Sequence, residues 1–85
     1  MEYNELKLLI LSLFDTTRVM DSRDVLLGVQ KTNKHVLNDK AIDMALMRYW
    51  RQGLLARARK SRRFVYSLTE KGNSRKNWLK LQKTP

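Results

Sequence analysis

The chain has 85 residues, no cysteine and a formal net charge of +10. A chain of this length buries roughly 60–65% of its unfolded surface, which sets the expectation of a single domain over residues 1–85. Without cysteine there are no disulfides and no thiolate metal site. Glu2 and Glu5 ahead of a short apolar run fit neither a signal peptide nor a membrane span of about 20 apolar residues, so the expectation is a soluble, cytoplasmic protein.

The first element is a helix from Tyr3 to Phe14, with Tyr3, Leu6, Ile10, Leu13 and Phe14 on one face at 3.6 residues per turn. Leu8 and Leu11 fall off that face, more apolar surface than one stripe requires. Two readings stand side by side: a homodimer contact, or a helix set deep in a small core. "DTTRVMDSRD" then breaks the helix, and Arg18-Val19-Met20 could add an edge to a small sheet. Asp21 or Ser22 suits the N-cap of a second helix, Arg23 to Lys31, with Val25, Leu26 and Val29 inward and Gly28 an oddity in its middle. "KTNKHV" is turn-like. His35, the single histidine, has no second His or Cys to share a metal and no serine arranged as its partner, and is read as a surface or turn residue.

Asn38 caps a third helix, Asp39 to Gln52, and Gly53 is its C-terminal stop. At 100° per residue, Ile42, Ala45, Leu46, Tyr49 and marginally Trp50 face one way. Lys40, Met44, Met47, Arg48 and Arg51 face the other, a stripe of cations interleaved with methionines. "LLARAR" and "RRFVYSL" read as two short strands around a tight Lys60-Ser61 turn, or a longer loop, since neither Asn-Gly nor Asp-Gly is present. Phe64, Tyr66 and Leu68 alternate onto one face and are expected to anchor the hairpin to the core. Thr69 caps a last helix toward Lys83, with Trp78 and Leu81 on one side and Lys76, Lys80 and Lys83 on a basic face. The fold class is therefore mainly α with one small β-hairpin.

Charge separates the halves of the chain. Residues 1–43 hold six Lys/Arg against seven Asp/Glu, a balance of −1, and residues 44–85 hold twelve against one, a balance of +11. Such asymmetry implies a polyanionic partner for the second half, with nucleic acid the common case and an anionic membrane surface its rival. Arg57, Arg59, Lys60, Arg62 and Arg63 crowd into seven positions, where mutual repulsion is relieved if a polyanion binds them. The acids sit at cap-like or helix-surface positions and no glycine-rich phosphate loop is present, which argues against an enzyme. No cofactor, metal or small-molecule ligand is implied.

Helix, short extended piece, helix, helix, hairpin and helix is the order of a winged helix-turn-helix domain, α-(β)-α-α-β-β-α. "LMRYWRQGLL" (46–55) resembles the end of that family's recognition helix, with Leu46, Tyr49, Gly53, Leu54 and Leu55 on the patterned positions. "YSLTEKG" (66–72) is similar to the Tyr-x-Leu-Thr-x-x-Gly ending of the second wing strand in small MarR-like and PadR-like transcriptional regulators. The resemblance spans about residues 3–83 and implies that the third helix enters the DNA major groove with the hairpin as a wing beside it.

The candidate double-stranded DNA contacts are then Lys40, Met44, Met47 and Arg48 on the helix, and Arg57, Arg59, Lys60, Arg62 and Arg63 on the wing, its tip favoured over Arg57. Leu8, Leu11, Trp78 and Leu81 are the candidate dimer face. Methionines cannot supply a donor–acceptor code, so a backbone-dominated or shape-guided mode is favoured, with Arg48 the best base reader. The alternatives are a winged-helix module that docks another protein, and a non-specific architectural DNA- or RNA-binding protein.

Overall fold

A computed structural model of the chain describes residues 3–32 and 38–83; His35 lies outside the described residues. The elements are α1 (Tyr3–Leu13), β1 (Val19–Met20), α2 (Ser22–Thr32), α3 (Asp39–Arg51), β2 (Leu55–Lys60), β3 (Arg63–Leu68) and α4 (Glu70–Lys83). The strands form one antiparallel sheet in the order β1-β3-β2. The short Val19–Met20 segment does join the sheet edge, pairing Met20 with Tyr66 and Val19 with Ser67.

The starts of α2, α3 and α4 and the end of α3 each have a local cause. Asp21 caps α2 reciprocally with Asp24: the Asp24 N–H donates to Asp21 Oδ1 at 2.9 Å, and the Asp21 N–H to Asp24 Oδ2 at 3.2 Å. Two orphan donors of the first turn are thereby satisfied at once. Asn38 Oδ1 accepts from the Ala41 N–H at 2.8 Å and starts α3. That helix stops in a Schellman turn, with the Gly53 N–H donating to the Trp50 carbonyl and the Leu54 N–H to the Tyr49 carbonyl. Gly53 takes φ 78°, the left-handed geometry that the turn requires. Thr69 Oγ1 accepts from the Gly72 N–H at 2.9 Å to cap α4. The C-terminal end of α1 receives Lys76 Nζ, which donates to the Phe14 carbonyl at 3.1 Å.

Ile10, Leu11, Phe14, Val25, Val29, Ile42, Leu46, Tyr49, Leu54 and Leu55 are fully buried and form the centre of the core. Burying each such side chain contributes about 1.5–3 kcal/mol. Leu8 and Leu11 are buried there too, so of the two readings of the surplus leucines the deep core is the one the packing supports. The reason is tertiary: α1 is flanked by both α2 and α4, which cover two of its faces. Gly28, the oddity in α2, lies where α1 crosses, and a Cβ on it would stand 2.9 Å from a Leu13 methyl. Lys7 is buried as well, its Nζ donating to Gln52 Oε1 at 3.2 Å and lying 5.6 Å from the Tyr49 ring centre. No helix among the described residues is long and apolar enough to cross a membrane.

Candidate nucleic-acid interface

The outward face of α3 is the first part of the site. With Ile42, Ala45, Leu46 and Tyr49 packed inward, the helix turns Lys40, Met44, Met47 and Arg51 to solvent and leaves Arg48 half-buried on its flank. Met44 is 55% and Met47 38% exposed, so both methionines are surface rather than core. Arg51 belongs with this set: the sequence put it on the outward stripe but not among the candidate DNA contacts. Its Nη2 donates to Met47 Sδ at 3.5 Å, laying the guanidinium along the same stripe. The 100° spacing that grouped it with Lys40 and Met44 was the signal.

The wing is the second part. Its register pairs Leu55 with Leu68, Arg57 with Tyr66, Arg59 with Phe64 and Lys60 with Arg63, leaving a two-residue loop of Ser61 and Arg62. The loop is neither longer nor centred on Lys60, because Ser61 supplies the positive φ, 57°, that a tight hairpin loop needs. Cross-strand partners share a sheet face. One face thus runs Leu55, Leu68, Tyr66, Arg57, Phe64, Arg59 from the core outward. The other carries Ala56, Ser67, Ala58, Val65, Lys60 and Arg63.

Burial ends partway along the first face. Leu68 and Tyr66 are buried, but Phe64 is 44% exposed, against the expectation that it anchors the strand to the core. Period-2 alternation assigns a face and not the point at which the protein beneath runs out. Phe64 stacks instead with arginine: the Arg57 guanidinium carbon lies 4.2 Å and that of Arg59 5.9 Å from its ring centre. Trp50 likewise turns out from the core, 37% exposed, with Arg57 only 3.7 Å from its ring centre.

On the opposite face Arg63 Nη1 donates to Asp21 Oδ2 at 2.7 Å, tying the wing to the start of α2. The Asp21 carboxyl is held below the usual carboxylate range, first by the Asp24 backbone N–H. Burial opposes this, and the Arg63 charge reinforces it.

Between α3, the start of α2 and the wing lies a cleft of about 530 Å³, lined among others by Met47, Asp43, Arg23, Arg57, Arg63 and Phe64. Three of the sequence-derived candidates, Met47, Arg57 and Arg63, meet there. Lys40 and Met44 are outside the cleft's lining, and Arg59, Lys60 and Arg62 stand exposed at the hairpin end. Arg23 and Asp43 were missed by sequence reading, because only the docking of α2 and the wing against α3 places them at the site.

No family model matches the chain. No curated protein matches it either. Solved structures do. The YusO protein from Bacillus subtilis superposes with a TM-score of 0.73 at 15% identity, covering 88% of this chain and 51% of that one. The chain thus spans about half the length of YusO. A PadR-like transcription factor from Bacteroides fragilis superposes with a TM-score of 0.76 at 19% identity, covering 92% of this chain and 79% of that one. Four helices, with α2 packed on α3, and a three-stranded sheet ending in a basic hairpin give the chain a winged-helix fold.

Proposed function

We propose that the chain is a non-catalytic transcriptional regulator that binds double-stranded DNA, with α3 in the major groove and the wing on the adjacent backbone or minor groove. The observation that carries the reading is the placement of two cationic surfaces side by side. Lys40, Arg48 and Arg51 lie on α3, and Arg59, Lys60 and Arg62 lie at the tip of a hairpin packed against that helix. A major groove about 12 Å wide admits one helix, and a cationic tip beside it meets phosphates or a narrow minor groove. The PadR-like neighbour is a transcription factor, which is in keeping with this role.

Fluorescence anisotropy of a labelled duplex across a salt series tests it. Binding is expected at about 50 mM salt, with log K falling by about 0.9 per phosphate neutralised per tenfold rise in salt. Replacing Arg59, Lys60 and Arg62 by Ala is expected to flatten that slope by up to about 2.7. No binding at about 50 mM salt overturns the proposal, and an unchanged slope removes the wing tip from the contact. Competition by unrelated duplexes, single strands and RNA distinguishes a regulator from an architectural protein that holds all of them equally.

The working unit we propose is a homodimer. Trp78 and Leu81 stand on the outer face of α4, 50% and 72% exposed, and large apolar side chains gathered there mark a partner surface. The same pair, with Met44 and Met47, supports the second reading, a domain that docks another protein.

A further inference from the structure

We infer that Arg57 is the strut that sets the angle of the wing against α3, a positioning residue for DNA binding rather than a phosphate contact. The inference rests on the DNA-binding reading only for its consequence; the strut itself belongs to the free protein.

The Arg57 guanidinium lies between two aromatic rings from different elements, 3.7 Å from the Trp50 ring centre on α3 and 4.2 Å from that of Phe64 on β3. Both distances are well inside the roughly 6 Å at which a cation is held by an aromatic face. A planar guanidinium can lie flat against each ring, whereas an ammonium on a flexible stem cannot. Arg57 is half-buried, unlike its exposed neighbours Arg59, Lys60 and Arg62. Arg57 lines the cleft while its guanidinium rests against two rings, a geometry that fixes the residue before any ligand arrives.

The lever arm gives this contact its importance. Ser61 lies four residues beyond Arg57 along the hairpin, about 13 Å at strand rise. A tilt of about 10° at Arg57 therefore displaces the tip by about 2 Å, enough to break hydrogen bonds to a phosphate row. Near its tip the opposite face of the hairpin is tied to the start of α2 by the Arg63–Asp21 pair, whose arginine side chain is 68% exposed and so subject to screening by salt. The aromatic sandwich is the stay that persists when ionic strength rises.

Arg57→Lys separates strut from contact, because it keeps the charge and removes the stacking. Two measurements are made. One is the indole N–H resonances of the free protein, with Trp50 distinguished by comparison with Trp78→Phe. The other is duplex affinity across a salt series. Arg57→Lys is expected to move the Trp50 resonance without DNA, and to weaken duplex binding about tenfold. Phe64→Leu, which leaves the cation in place, is expected to weaken binding to a similar extent. The inference is overturned if Arg57→Lys leaves the Trp50 resonance in place and binds like the parent while Arg57→Ala lowers the salt slope by about 0.9, the signature of a phosphate contact. It is overturned equally if Phe64→Leu binds like the parent. Failure of the parent chain to bind any duplex would remove the DNA reading, and the Trp50 resonance would still decide the strut.

Discussion

Gly72 shows how much one residue can be constrained by a neighbour distant in sequence. A glycine inside a helix costs about 0.5–1 kcal/mol relative to alanine, so its presence in α4 needs a tertiary reason. A Cβ there would run into the Leu54 carbonyl oxygen and the Leu68 side chain, and backbone cannot step aside cheaply. Gly72→Ala is expected to destabilise by about 2–3 kcal/mol despite its better helix propensity, lowering the melting midpoint by roughly 10 °C or more. A thermal melt followed by circular dichroism checks it. A gain in stability would mean that α4 shifts freely. The Gly72 motif was visible in sequence as part of "YSLTEKG", but the collision that explains it was not, because no periodicity reports which carbonyl a helix crosses. Phe64 and Trp50 were misread for a related reason: alternation and helical spacing name a side, and the edge of the core decides whether that side is dry.

At the scale of elements, α2 depends on a charged cap with a pH signature. Asp21 is held below its ordinary pKa in the fold, chiefly by the Asp24 N–H, with burial opposing and Arg63 assisting. A depressed folded pKa means that its stabilisation is fully present above the unfolded value, about 3.9, and is lost as pH falls through the folded one. Asp21→Asn keeps a capping oxygen and removes the charge, at an expected cost of about 0.5–1 kcal/mol near neutrality. Urea midpoints of parent and variant are expected to differ between pH 5 and 7 and to converge as pH falls from 4 toward 2. A constant gap would show that the charge plays no part. Caps and stops were the most legible features of the sequence, Asn38, Gly53 and Thr69 among them, since they depend on a few adjacent residues. Lys7 and Lys76 were not legible, because each meets its partner across 45 or more residues of chain.

For the whole molecule the open quantity is how many copies act together. Sedimentation at micromolar concentration is expected to give a species near twice 10.1 kDa, and Trp78→Ala with Leu81→Ala to return it to a single copy. A parent that sediments as one chain would overturn the dimer. The polarity of charge along the chain pointed to a polyanion before any fold was known. The helix face of the site followed from spacing alone, while the cleft with Arg23, Asp43 and Arg63 exists only once three elements are docked.

The contact between the end of α3 and the start of α4 would constrain any regulation of the proposed dimer. The Thr69 hydroxyl donates toward the Gly53 carbonyl at 2.6 Å and the Leu54 carbonyl at 3.0 Å, and Lys7 grips Gln52 from α1. The exit of α3 is therefore tied directly to the start of the helix that bears Trp78. A partner seated on that outer face can rotate or separate two such bodies, but has no joint by which to bend one. In the proposed dimer on DNA, control of binding would then be exerted through the distance between the paired α3 helices, set from outside like the span of a caliper whose jaws are each a single solid piece.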